Sequence, residues 1–367
     1  MSHFRIVYLC ADLRRVGPTN QTYNIIVNAN ESLDDVLVLT LFDEPKDSQK
    51  KMFEDKGIKC ECLALNRHNL VSAAIKLISF FKRNRIELIH SYGVKPDILL
   101  YFVAGFVKVP YVLTQRCIPI EDYPTRMPPF VGTFIALMHT FVLKHSKHVV
   151  TCSQHLSEVM KSRYKCNNVT PIQNGIDTSR FMKLDKQKLR SKLGLPSDAI
   201  IFISTGLFLE RKHNDELIEA FLQVDSPKKH LLMLGNGPLF NQIENKYVNN
   251  PNIQFLGLVS NISEWLSAAD FFLSASDSEG LPNAVLEALA CGCPVILSDI
   301  PQHREILDSL PTCGKTFKLH DINELTLIMN NCTTYGFNFN ETRDALEASS
   351  FTMQTMGKKY NSFYKGL

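Results

Sequence analysis

The 367-residue chain has a single tryptophan, and its ten cysteines fall outside any zinc-binding spacing. Cys60/Cys62 and Cys291/Cys293 are C-x-C pairs, and no CxxC or Cys/His cluster occurs. Several cysteines lie in apolar runs, where they behave as small hydrophobes. A reducing compartment, the cytosol, is therefore the expected location. Long hydrophobic runs are missing as well. The most lipid-like segment, ILLYFVAGFVKVPYVL, is interrupted by Lys108 and Pro110 and is shorter than a bilayer-spanning helix needs. The opening MSHFRIVYLCADLRR holds too short an apolar run for a signal peptide and reads as a first strand. Nucleic-acid binding is disfavoured, because no dense Lys/Arg run with interleaved aromatics is present. A dinucleotide-binding G-x-G-x-x-G after the first strand is absent too; VGPTNQ stands there, which argues against a dehydrogenase. No D-x-D sits in a metal-binding context, Asp277-Ser278-Glu279 being a near miss, so no metal and no cofactor are expected.

Hydrophobic residues make up 45% of the chain and charged residues 21%, a balance that builds buried cores over a length suited to two domains. The net charge of +3 is unevenly spread: residues 1–180 carry +7 and the remainder −4. A basic first half suits an anionic membrane face or an acidic substrate, and equally an ordinary solvated surface.

Short β-rich runs (FRIVYLC, DVLVLTLF, KCECLAL, ELIHSY, PYVLT, KHVVTCS) alternate with helical patterns such as LVSAAIKLISFFKRN, which indicates a parallel α/β domain. The pattern pauses in the polar, turn-rich NGIDTSRFMKLDKQKLRSKLGLPSDA. It restarts with AIIFISTG, NDELIEAFLQV, KHLLMLGNG, PLFNQIENKY, NIQFLG, ISEWLSAA, DFFLSAS, PNAVLEALAC and PVILSD. Two Rossmann-like domains are expected, over 1–176 and 177–350, with a cleft between the carboxyl ends of their sheets. A final helix over 351–367 is expected to cross back to the first. The stretch FVGTFIALMHTFVLKHSKH has an apolar face wide enough to rest on a bilayer, and the reading preferred for it is a core helix of the first domain.

The chemistry concentrates in ASDSEGLPNAVLEALACGCPVILSD. Gly280, Leu281 and Pro282 lead into a helix expected over 283–291. Its free first-turn N–H groups and dipole favour a phosphate, and proline is tolerated at such a start. Glu279, in the loop before, can accept hydrogen bonds from hydroxyls on one side of that phosphate. Glu287 lies inside a helix that is apolar almost all round, so its carboxylate needs a partner, and a vicinal diol can supply one. Sugar hydroxyls, a pyrophosphate and a ribose diol form that series in a nucleotide sugar. Earlier, a strand ends at Gly206, and Arg211 and Lys212 follow just before a helix. Cations at that place can stabilise charge on a departing phosphate. Each feature also has a plain structural explanation: a loop carboxylate, a solvated helix face and a pair of surface cations.

Together, SEGLPNAVLEALACGCPVI, the preceding GLFLERK and GNGP, the inter-domain IQNGIDTSRF, and VVTCSQHL and IELIHSYGVKPD resemble the family 4 retaining glycosyltransferases of the GT-B fold, over about residues 4–365. Their E-x7-E signature matches Glu279 and Glu287. The resemblance implies that Glu287 binds the ribose hydroxyls and Glu279 the donor sugar, with backbone contacts from Gly280 and Leu281 and the diphosphate on Lys212. It also implies retention by a front-face route in which the departing phosphate helps take the acceptor proton. The sequence departs from the family in three places. Leu207 stands where an arginine usually follows the glycine, and Arg211 is the candidate to replace it. The glycine-rich first loop is reduced to VGP, leaving Gly17. Of the H-x-H pattern only His90 survives, since Tyr92 takes the second place; His90 is either a sugar-positioning residue or a plain strand end. Glu121, Asp122 and Tyr123 resemble an "eDYp" segment of bacterial surface-polysaccharide members and are acceptor candidates. The expected reaction is transfer of a hexose or N-acetylhexosamine, with UDP-sugars preferred, to a glycan acceptor. A lipid-linked oligosaccharide of O-antigen, capsule or exopolysaccharide synthesis is the acceptor expected, with peripheral contact at the inner membrane face through the basic first domain. A nucleotide-sugar 2-epimerase or a non-catalytic nucleotide-sugar binder would share the fold.

Overall fold

The computed structural model describes residues 3–66 and 69–367 and contains two parallel sheets. The first comprises β1 (His3–Cys10), β2 (Val36–Thr40), β3 (Lys59–Cys62), β4 (Arg85–Tyr92), β5 (Tyr111–Gln115), β6 (Val149–Thr151) and β7 (Val169–Pro171). Its spatial order is β3-β2-β1-β4-β5-β6-β7. The second comprises β8 (Ile200–Leu207), β9 (Lys229–Asn236), β10 (Ile253–Gly257), β11 (Phe271–Ser274), β12 (Val295–Ser298) and β13 (Gly314–Phe317), ordered β10-β9-β8-β11-β12-β13. All named strand pairs are parallel. The continuous apolar runs follow from this: a strand covered by helices on both faces has no wet side to alternate with. Val36–Leu39, Ile201–Ile203 and Leu231–Met233 are accordingly fully buried.

Contacts divide the chain into two compact units, one running to Asn174 and including Met353–Leu367, the other Gly175–Thr352. The last helix, Met353–Lys365, lies on helix Gly17–Ala29 of the first unit. Gly357 permits the close approach, since a Cβ there would lie 2.4 Å from the Asn28 Cβ. Asn361 Nδ2 donates to the Ala29 carbonyl at 2.8 Å, and the Tyr364 hydroxyl reaches His90 Nδ1 at 2.6 Å.

Within the stretch expected to be only turn-rich, Lys186–Leu193 is helical. Asp185 caps it by accepting from the Lys188 N–H at 3.0 Å, and Gly194 closes it at φ +69°. In each sheet the strand order reverses beside its first strand, between β1 and β4 and between β8 and β11. Open parallel sheets hold ligands at the carboxyl ends of such a pair.

Candidate active site

Beside the β8/β11 switch point, the carboxyl ends of β8 and β9 are held close by glycines. Gly206 and Gly235 pair in register across β8 and β9, at φ +143° and +130°. A Cβ on Gly235 would stand 1.8 Å from the Gly206 carbonyl oxygen, and one on Gly237 would be 2.6 Å from the Phe208 nitrogen. Side chains are therefore excluded where these strands end, and a ligand there meets peptide groups. A methyl on Gly206 would lie 4.0 Å from Lys212 Nζ.

Beside these glycines the short turn Glu210–Lys212 brings two cations to one acid. Lys212 Nζ donates to Glu279 Oε1; Arg211 Nη1 lies 3.5 Å from Glu279 Oε2 and donates to the Ser278 carbonyl at 2.5 Å. The Asp277 N–H returns a bond to the Arg211 carbonyl at 3.0 Å, so the β8 and β11 loops are tied together. The side chain of Glu279 is 9% exposed and those of both cations 18%. Burial would raise the Glu279 carboxyl, but Lys212 and Arg211 override it and hold the group at about 2. It is a carboxylate at any physiological pH.

Glu287 sits in the contrasting environment. Helix Asn283–Ala290 begins after Pro282 with no side-chain hydrogen bond from that cap residue and no acid in its first turn, so no carboxylate offsets the positive end of its dipole. Val285, Leu286, Ala288 and Leu289 are buried around Glu287. Burial pushes its carboxyl up to about 7, against a weak pull from Arg180. Among the described residues no side-chain hydrogen bond or ion pair of Glu287 is formed. Glu279 is thus committed to two cations, whereas Glu287 is a partly buried carboxyl without a side-chain partner among the described residues.

The family model described as "Glycosyl transferases group 1" matches residues 185–326, and that described as "Glycosyltransferase Family 4" matches residues 17–180. The chain belongs to the family 4 glycosyltransferases. It is 25% identical over 375 residues to "O-antigen biosynthesis glycosyltransferase WclY" of Escherichia coli, covering 99% of this chain and 98% of that protein. It is 24% identical to the "UDP-Gal:alpha-D-GlcNAc-diphosphoundecaprenol alpha-1,3-galactosyltransferase" of Escherichia coli, over 82% of this chain and 79% of the relative. The crystal structure of Anabaena Alr3699/HepE in complex with UDP-glucose superposes with a TM-score of 0.82 at 18% identity and covers 100% of both chains. That likeness shows the GT-B fold.

In this glycosyltransferase the second unit brings together Gly206, Arg211, Lys212 and Glu279, with Gly280, Leu281 and Pro282 leading into the helix that carries Glu287. Leu281 is buried, and Leu207, at the family's arginine position, is 49% exposed. The group also includes residues not anticipated from sequence. Gly235 and Gly237 join Gly206 at the strand ends. His303 is fully buried: its Nδ1–H donates to the Ser298 carbonyl at 2.8 Å, and its Nε2 has no hydrogen-bond partner. Burial lowers this imidazole to about 4 although the nearby Glu279 charge opposes the shift, so a neutral ring stands behind the Lys212–Glu279 pair. A lone histidine in DIPQHRE gives no spacing signal that would single it out.

The candidates of the first unit fare differently. Gly17 begins helix Gly17–Ala29 after β1. His90 lies in the core of this unit: it is 2% exposed, Nε2 meets the Thr114 hydroxyl at 2.6 Å, Nδ1 meets Tyr364, and burial lowers it to about 3. Both nitrogens are hydrogen-bonded within the protein, and burial keeps the ring neutral. Tyr123 is also buried, with its hydroxyl on His139 Nδ1 at 2.6 Å. Asp122 pairs with Arg126 at 2.8 Å and Glu121 with Arg163 at 2.5 Å. Among the described residues, His213, Glu216 and His320 place ligand atoms within 4.8 Å of one another. They already satisfy one another, with Glu216 Oε1 taking contacts of 3.3 and 2.8 Å from the two rings.

Proposed function

We propose that the enzyme transfers a hexose or N-acetylhexosamine from a UDP-sugar, with retention and without a metal, to a glycan carried on a lipid in surface-polysaccharide assembly. The observation that carries this reading is the pairing of two unlike carboxyls around one helix start: Glu279 fixed by Lys212 and Arg211 at one side, Glu287 without a side-chain partner among the described residues at the other. On this reading the diphosphate lies over the glycine-held strand ends and competes for Lys212, which frees Glu279 to accept from sugar hydroxyls. Glu287 accepts from the ribose diol. The bond from the anomeric carbon to phosphate oxygen breaks, the bond to the acceptor oxygen forms on the same face, and the acceptor proton passes to the departing phosphate. The protein supplies position and charge rather than a covalent partner.

The choice of UDP and of a lipid-linked acceptor is supported by the names of the relatives, one of which uses UDP-galactose and a diphosphoundecaprenol acceptor. Contact with a membrane surface accords with such an acceptor, and no helix among the described residues is long and apolar enough to cross a bilayer. The test is a donor panel with purified protein, reading nucleoside diphosphate release with and without lipid-linked acceptor. Release that depends on acceptor, with product retaining the anomeric configuration, is expected. Release or isomerisation independent of acceptor would point to the 2-epimerase reading instead.

A further inference from the structure

Helix Pro129–His145 buries Gly132, Ala136, His139, Val142 and Leu143, so it packs as expected on one side. Its opposite side carries the apolar face noted in the sequence as wide enough to rest on a bilayer. Phe130, Phe134, Leu137 and Phe141 fall within less than a quarter of the helix circumference and are 86%, 62%, 60% and 50% exposed. The neighbouring helix Val94–Val107 continues the face. Tyr101 meets Phe141 edge-on at 6.1 Å and Phe102 at 5.4 Å, and Phe102 and Phe106 are 56% and 66% exposed. Taking ~200 Å² for one phenylalanine, the five rings leave on the order of 600 Å² of aromatic surface in water. That is at the upper end of what a soluble monomer tolerates in one patch.

We propose that this aromatic face docks on an anionic lipid bilayer. The proposal deepens the reading of a lipid-borne acceptor and rests on it for its purpose, while the face itself is read from its own residues. Charge selects the occupant. Residues 129–148 contain no acid, and exposed Lys144 and Lys147 follow the stripe at its end, with exposed Lys108 closing the neighbouring helix. The one acid of the two helices, Asp97, is fully buried against Ser91 and His139. Apolar rings flanked by lysines match an interfacial site, where the rings enter the acyl boundary and the cations meet headgroup phosphates. A protein partner of ordinary size needs about one hydrogen bond per 100–200 Å². Between Phe130 and Phe141 the exposed or half-buried side chains that can hydrogen-bond are Thr133 and Thr140.

The experiment is flotation of the purified full-length protein with phosphatidylcholine vesicles, and with vesicles containing phosphatidylglycerol, at low and high salt. The variants are F130S/F134S/F141S and K144E/K147E, with circular dichroism and UDP binding as fold controls. The wild type is expected to float with anionic vesicles and much less with neutral ones. The serine variant should lose at least about tenfold in partitioning, and the lysine variant should lose its preference for phosphatidylglycerol. Failure of the wild type to float, or equal flotation of a folded serine variant, overturns the proposal. So does a dimer in sedimentation velocity that F134S alone converts to monomer, because the face would then join two copies of the chain. Flotation without any sugar transfer would sink the proposed function and leave the docking face standing.

Discussion

Replacing Glu287 with glutamine should stabilise the unliganded protein at alkaline pH while crippling it as an enzyme. Burial holds this carboxyl at about 7 in the folded chain against an ordinary 4.5. Between those values the folded protein binds more protons than the unfolded one, so stability falls as pH rises through that window. Once pH exceeds the folded value, the deficit reaches about 2–3 kcal/mol, allowing for partial exposure. Glutamine carries no such deficit. Urea titrations should therefore show Glu287→Gln equal to wild type near pH 4.5 and about 2–3 kcal/mol more stable near pH 8. If a ribose diol donates to the ionised group, UDP binding to the wild type near pH 7 should release a proton, seen as a buffer-dependent enthalpy in calorimetry. The glutamine variant should bind UDP more weakly and without that release. A stability gain that is the same at pH 4.5 and pH 8, or absent at both, would refute the reasoning, because a buried unpartnered acid must express its cost through pH.

Other perturbations address separate parts of the molecule. Lys212→Met keeps the stem and removes the charge; steady-state kinetics should show kcat/KM lowered about 100- to 1,000-fold, with little change expected in a merely surface cation. Gly357→Ala forces a Cβ against Asn28, and differential scanning calorimetry should register a loss of about 1–3 kcal/mol with faster proteolysis of the C-terminal helix. His90→Ala should cost about 2–3 kcal/mol through a cavity and two orphaned hydroxyls, yet leave the pH profile of kcat unchanged in folded protein. A lost acid limb in that profile would restore His90 to the chemistry.

Much of the second unit was legible because its strands are apolar runs bounded by helical periodicity, and the E-x7-E spacing pointed to Glu279 and Glu287. Helix Val94–Val107 was not, because its apolar residues run almost all round and resemble a lipid segment. The helix Lys186–Leu193 was missed although Asp185 and Gly194 mark its ends, since the polar residues between them carry no apolar stripe. Long-range pairings left no local trace: Glu279 with Lys212, His90 with Tyr364, Asp270 with Arg190 at 2.6 Å. His90 drew a catalytic reading from the resembled H-x-H pattern, and nothing local in the sequence showed its partners. An isolated polar residue at a strand end looks the same in sequence whether its partner is a substrate or a tyrosine hundreds of positions away.

Because Met353–Lys365 completes the unit begun by β1, synthesis and assembly run in different orders. When residue 174 leaves the ribosome, Tyr8 and His90 still lack the tyrosines that cover them, and the second unit can finish before the first. A nascent chain must keep that surface from aggregating for almost its whole length. Loss of helix Met353–Lys365 to a protease would then strike the unit that β1 begins, not the one that precedes the helix in sequence.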